Sequence, residues 1–495
     1  MKYISTRGAH ADGVSSAYAI KTGLASDGGL FMPESIPQID GDFIKSLAPL
    51  SYPKRAAKIL SLFLTDYTYE ELLSDAEAAY SAEKFTPAAA PVTKIGENRY
   101  MLELWHGPTS AFKDMALQIM PRLFSRAMKK CGEEREALIL VATSGDTGKA
   151  ALEGYRDVPS TKIKVFYPID GVSRVQKLQM QTQEGGNVSV NGIIGNFDDA
   201  QSGVKKIFSD TDYADELNNA GVFLSSANSI NWGRLVPQIV YYISAYCDMY
   251  KDGIVKVGEE IDVCVPTGNF GNIFAGYIAK LMGTPIRTLV CASNKNNVLT
   301  EFLTTGEYNK NRAFHTTMSP SMDILISSNL ERLLYTVIGT KKTAEYMSEL
   351  NANGRYKVSN EEFSKIRESF VGYYTDEGEC SLTVKETFEK ENRLIDTHTA
   401  VAVNAAKLYA SDSKATRPML VVSTASPYKF AGDVLFSLTG NKPTDDLLAL
   451  GMLNEYTGVD IPTPLASILK KEAIHTGVIN REDMKSATTE FALKK

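Results

Sequence analysis

Four short stretches of this 495-residue chain gather residue types that could do chemistry. The densest is Trp105-His-Gly-Pro-Thr-Ser-Ala-Phe-Lys-Asp114. A lysine beside an aspartate is ordinarily a solvated surface pair. Here the pair follows Gly-Pro, two small hydroxyls and Phe112, and it precedes Leu117, Met120, Phe124 and Met128, an apolar series at helical spacing. That places Lys113 near the start of a buried helix, where desolvation lowers an amine's pKa and suits it to forming a Schiff base. Phe112 reads as core packing. Pro121 either kinks this helix or marks its true first turn.

The other three stretches are turns. In Pro266-Thr-Gly-Asn-Phe-Gly-Asn272 the two glycines would let the backbone approach a ligand. The helix after it would offer free N–H groups to a phosphate; the same residues also make an ordinary Asn-capped helix start. Thr143-Ser-Gly-Asp-Thr-Gly-Lys149 imitates a nucleotide-binding P-loop, but Thr143 and Ala150 stand where that motif needs Gly and Ser/Thr. The hydroxyls of Ser144 and Thr147 could instead hold a carboxylate, or simply cap a helix. In Ser423-Thr-Ala-Ser-Pro-Tyr-Lys429 the hydroxyl of Thr424 could reach a ring nitrogen.

The elements around these turns explain their placement. Compact apolar runs at 137–142, 163–167, 261–265, 286–291 and 419–422 predict strands buried on both faces, as in parallel sheets. Three of them lead straight into the turns above and then into helical sequence. That is strand–turn–helix grammar, in which ligands collect beyond the carboxyl ends of the strands. The segment 447–495 reads as mostly helical and without chemistry.

Composition narrows the function classes. With 43% hydrophobic and 23% charged residues and a net charge of −6, the chain is an ordinary globular one of two to four domains, without the basic excess of a nucleic-acid or membrane-surface binder. Its start lacks the apolar region of a secretory signal, and no apolar run approaches the ~20 residues of a membrane helix. Five scattered cysteines and five histidines, none at metal-ligand spacing, predict core thiols, no metal site and a cytoplasmic location.

Together the motifs resemble the threonine synthase family of fold type II pyridoxal-5′-phosphate (PLP) enzymes. Ser5-Thr-Arg7, Asp27-Gly-Gly-Leu-Phe-Met-Pro33, HGPTSAFKD, TSGDTG, Asn228-Ser-Ile-Asn-Trp-Gly-Arg234, PTGNFGN and STASPYKF recur in family order, nearly end to end. Asp146, where other fold type II enzymes often carry Asn, is similar to the longer bacterial and fungal subgroup.

The resemblance implies an α/β fold of the tryptophan synthase β type, with mostly parallel sheets in a large and a small domain plus an N-terminal domain. The Pro-bracketed stretch 86–91 is the natural first boundary. The expected division is 1–90, then a large PLP domain from 91–134 and 256–495, with a small domain at 135–255 inserted. Lys113 would carry PLP as a Schiff base. Gly268, Asn269, Phe270, Gly271 and Asn272 would wrap its phosphate, and Thr424 would bond its ring nitrogen. Asp146 would lie on the O3′ side; a carboxylate there would repel the phenolate unless a proton or a cation intervenes, and on spacing alone Lys149, one helical turn on, is the candidate cation. Ser144 and Thr147 would help hold substrate, while Asn228, Ser229 and Arg234 would grip the substrate phosphate. The implied reaction converts O-phospho-L-homoserine and water to L-threonine and phosphate by γ-elimination and β-hydration. The small domain would close to exclude water. The assembly would be a monomer or homodimer, and the roles of Thr6, Arg7 and His106 stay open.

Overall fold

The apolar runs that flank the turns form two separate sheets. The computed structural model describes residues 1–85, 88–143, 145–170 and 172–494; Thr86 and Pro87 of the expected linker, and Ser144, lie outside the described residues. A six-stranded sheet runs in the order Phe370–Tyr374, Ile286–Ser293, Ile261–Pro266, Met419–Ser423, Arg99–Glu103 and Val92–Lys94. All its pairings are parallel except the last. A fully parallel five-stranded sheet runs in the order Val478–Asn480, Val188–Ile194, Thr161–Pro168, Glu136–Ala142 and Val222–Ser225. Each of the five runs expected as strands lies within one of these strands, and the central ones are buried on both faces, as helix-covered parallel sheets require.

The C-terminus departs from expectation. Val478–Asn480 pairs in parallel with Val188–Ile194, and the helix Met484–Leu493 buries Met484 and Ala492 with Leu138, Leu140 and Phe166. The last residues therefore belong with the five-stranded sheet, where the sequence had assigned everything after 256 to the larger unit. A three-residue strand carries too little alternation to be read.

The N-terminal segment is tied into the middle of the chain. Thr6 Oγ1 donates to Glu331 at 2.6 Å, and Arg7 donates two bonds of 2.8 Å to the same carboxylate. The adjacent Arg332, fully buried, donates to the carbonyls of Phe31 and Ile230 and to the Asn329 side chain.

The sequence around Lys113 makes two helices: Asp114–Leu117, then Met120–Lys130, with Pro121 in the first turn of the second. Proline needs no N–H there, so it starts the helix rather than kinking one. The break leaves the Leu117 carbonyl open to the helix Asp146–Tyr155, which crosses at Gly154: a Cβ on Gly154 would sit 1.8 Å from Leu117 O. This close approach sets the spacing between the Lys113 helix and the Asp146 helix. Gly154→Ala should therefore destabilise the protein by about 1–3 kcal/mol, as overpacking against an immovable backbone does; a melting temperature unchanged from wild type would contradict this packing.

Candidate active site

Lys113 sits at the N-terminal end of its short helix, its side chain 11% exposed. The loop that carries it is pinned to the strand-end turn after Met419–Ser423: Phe112 N–H donates to Thr424 O (2.8 Å), and Ser426 N–H to Ser110 O (3.0 Å). Thr424 is thereby fixed beside Lys113. Nearby, Trp105 Nε1 donates to Ser423 Oγ, and a ring nitrogen of His106 bonds Glu103 at 2.7 Å.

Asp146 opens the helix Asp146–Tyr155, where the helix N-terminus favours a negative charge. Thr143 caps that helix, its hydroxyl accepting the N–H groups of Gly145 (3.0 Å) and Gly148 (2.9 Å). Asp146 is buried and touches two lysines. Its Oδ2 is 3.5 Å from Lys113 Nζ, and its Oδ1 is 2.9 Å from Lys429 Nζ. Gln176 Nε2 also donates to Oδ1 at 2.8 Å. Burial alone would raise this carboxyl, but the charges of Lys429 and Lys113 overcome it and hold the group far below the usual carboxylate range.

The cation expected at Lys149 is elsewhere. Lys149 pairs with Glu153 at 3.1 Å and bonds Gln183, so it faces along its own helix and not toward Asp146. Lys429 takes the place expected for Lys149. Its side chain is 0% exposed and also donates to Gln179 Oε1 (2.6 Å) and Thr109 O (3.3 Å). It lies inside the same Ser423–Lys429 turn that drew notice for Thr424, and a lysine within a run of buried residues was the signal available.

Burial lowers the Lys113 amine, Asp146 opposes this, and Arg234 and Lys429 push it lower still. Asp114, next in sequence, supplies little compensation. It accepts from Thr109 N and Oγ1, and burial raises its carboxyl to about 7.

Arg234 lies two residues into the helix Trp232–Lys251, which Asn231 caps through Gly233 N. It is buried, and among the described residues the one hydrogen bond of its guanidinium goes to a carbonyl, Ala227 O, at 2.7 Å. Burial lowers its guanidinium to about 10, an unusual cost for arginine. Ser229 is half-buried and Asn228 exposed on the turn before it, and Thr147 is half-buried one residue after Asp146.

The turn Pro266–Asn272 ends the strand Ile261–Pro266 with Phe270 in the left-handed region (φ 63°) and opens the helix Gly271–Met282 with no side-chain cap. Its first N–H groups therefore face outward as donors. Two carbonyls of this turn are tied back: Ser327 Oγ donates to Gly268 O, and Asn329 donates from both N and Nδ2 to Asn269 O. A Cβ on Gly268 would meet Ser321 O at 2.9 Å. Asn272 accepts from Tyr241 and Tyr242, while its buried Nδ2 has no partner. An orphaned amide donor beside an uncapped helix end fits a phosphate group.

Ser321, unmarked in the sequence, joins these parts. Its main chain packs on Gly268, and its Oγ lies 3.4 Å from Lys113 Nζ and 3.5 Å from Asp146 Oδ2. Lys113, Asp146, Lys429, the 266–272 turn and Thr424 are thus brought together. Asn228, another expected residue, is exposed, on the turn before the helix that carries Arg234.

Three family models match the chain. They are described as threonine synthase N terminus (residues 2–80), pyridoxal-phosphate dependent enzyme (83–425) and threonine synthase, C-terminal (399–480). Threonine synthase-like 1 of Homo sapiens is 40% identical over 435 residues, which is 85% of this chain but 57% of that protein, so the chain spans little more than half of its length. Threonine synthase of Pseudomonas aeruginosa is 37% identical over 449 residues, 90% of this chain and 92% of that one. The crystal structure of PLP-bound threonine synthase from Brucella melitensis superposes with a TM-score of 0.88 over 100% of both chains at 35% identity.

Replacing Lys429 with Met removes a charge that lowers the Lys113 amine and leaves Asp146, which raises it. Lys113 should then give up its proton only at higher pH. Acylation of Lys113 in the apoprotein, followed by mass spectrometry across pH, should show the profile displaced upward; a downward shift would contradict the charge arrangement.

Proposed function

Because the chain belongs to the threonine synthase family of pyridoxal-phosphate-dependent enzymes, we propose that it converts O-phospho-L-homoserine and water to L-threonine and phosphate with PLP held at Lys113. The observation that carries this reading is Arg234. A buried guanidinium whose one hydrogen bond among the described residues goes to a carbonyl, close enough to depress the Lys113 amine, supports an anionic substrate group being received there.

The residues suit the cofactor. Lys113 Nζ would hold its aldehyde carbon. The N–H groups of the Gly268–Asn272 turn and the orphaned Asn272 amide would hold its phosphate, and the neutral Thr424 hydroxyl would hold its ring nitrogen. Asp146 would face its phenolic oxygen, with Lys429 as the cation between like charges. Bound there, PLP supplies an electron sink for charge developing at the substrate Cα.

The chain's own groups do the rest. The Lys113 amine, lowered by its surroundings, takes and returns the Cα proton. Arg234, with Asn228 and Ser229, receives the phosphate that departs from Cγ, and Ser144 and Thr147 hold the substrate carboxylate. Water must be kept from the site until phosphate has left, and the five-stranded unit that carries Asp146 is the part suited to close over it. A monomer or homodimer in the cytoplasm completes the reading. The five free cysteines, four of them buried, fit a reducing compartment, and no helix among the described residues is long and apolar enough to cross a membrane.

Lys113→Ala should abolish both turnover and the visible absorbance of bound PLP; a retained, borohydride-sensitive band would remove Lys113 from its role. Arg234→Ala should raise KM for O-phospho-L-homoserine roughly tenfold to a hundredfold, the cost of losing a charged hydrogen-bond partner worth about 1.5–3 kcal/mol, and should weaken inhibition by inorganic phosphate. Product analysis decides the reaction: L-threonine with equimolar phosphate supports it, and 2-oxobutyrate as the main product refutes it.

A further inference from the structure

A buried pair outside the motifs stands behind Ser321. His398 Nε2 accepts the Ser321 main-chain N–H at 3.0 Å, so the ring carries its proton on Nδ1, which faces Asp396 Oδ2 at 3.0 Å. Asp396 is fully buried at the N-terminus of the helix Thr397–Ser413 and also accepts from His398 N, Thr399 N and the Thr399 hydroxyl. These bonds fix its carboxylate, and the Phe430 ring packs on the imidazole with centroids 4.7 Å apart. Beyond Ser321 the loop is braced again. Asp323 accepts from Thr317, Asn294 and Asn296 at 2.7–3.0 Å.

Ser321 is thus held from both sides, although it ends in nothing but a hydroxyl. That hydroxyl lies between Lys113 Nζ and Asp146 Oδ2. Asp146 can only accept, so the Ser321 proton is directed to it and the oxygen lone pair is left for a Lys113 N–H. At 3.4 and 3.5 Å both bonds are long, of the kind that tightens when a ligand fills a site.

We infer that Ser321 is a catalytic residue whose hydroxyl orients the Lys113 amine, and that Asp396 and His398 are positioning residues acting through the Ser321 main chain. The inference rests on the reading of Lys113 as the lysine that binds PLP. The amine must present its lone pair in one direction to a carbonyl carbon or a proton, and orientation of this kind is a large part of what a rigid site contributes.

The test uses apoprotein of the full chain mixed with PLP and followed by absorbance, with steady-state kinetics on the reloaded enzyme. S321A and H398F should each slow PLP capture about tenfold, with kcat lowered and KM for O-phospho-L-homoserine little changed. H398Q, which keeps an acceptor near the Nε2 position, should recover most of what H398F loses. The double variant S321A/H398F should be no slower than S321A. S321A leaves the main chain intact and keeps the test decisive if H398F does not fold. Capture at the wild-type rate in S321A, or summed losses in the double variant, overturns the inference alone. Wild-type apoprotein that captures no PLP overturns the cofactor reading as well.

Discussion

Three cations and one carboxylate share a site that the fold has taken out of water. Lys113 and Lys429 both pair with Asp146, and Arg234 acts on the Lys113 amine, while Asp114 is driven toward neutrality by its own burial. Such a cluster is costly to desolvate and cannot be stabilising by itself. It persists because the helix start at Asp146, the Gln176 and Gln179 amides and the Gly154 crossing hold its members in place. The excess positive charge favours binding of an anion there. Burial and the neighbouring cations lower the amine, Asp146 opposes them, and the surplus of cations over this one carboxylate favours anions at the site.

The parts legible in the sequence were those whose chemistry is local. Five apolar runs announced their strands, and the turns after them announced where ligands gather. Lys113 and the Gly268–Asn272 turn drew notice by residue type and spacing, but locally each also reads as an ordinary helix start, and only the family resemblance gave them roles. The C-terminal strand was not legible, since its three residues gain their meaning from a partner almost 290 positions earlier. Ser321 and His398 were not legible for a related reason: neither lies in a patterned segment, and each acquires its part from residues that approach only in the folded chain.

Lys149 and Lys429 show how sequence proximity misleads. Lys149 is three residues from Asp146, but on an α-helix it points along the helix toward Glu153, four residues on, which is the favourable spacing for a pair. Lys429 is 283 residues away and reaches Asp146 because both follow strand ends that open into the same cleft. For a buried carboxylate the relevant neighbour is the one that shares its layer of the fold.

The clasp of Glu331 by Thr6 and Arg7 spans 325 and 324 positions of chain. On the ribosome, at about 5–20 residues per second, the N-terminal segment must wait roughly 15–65 s for its partner to be made. Through that interval Arg7 lacks the Glu331 carboxylate it will bond, and the strand Phe31–Pro33 lacks the Arg332 that will bond its first carbonyl. The beginning of this protein is synthesised well before it can be finished, so its exposure to chaperones and proteases is set by the rate of translation as much as by the stability of the final fold.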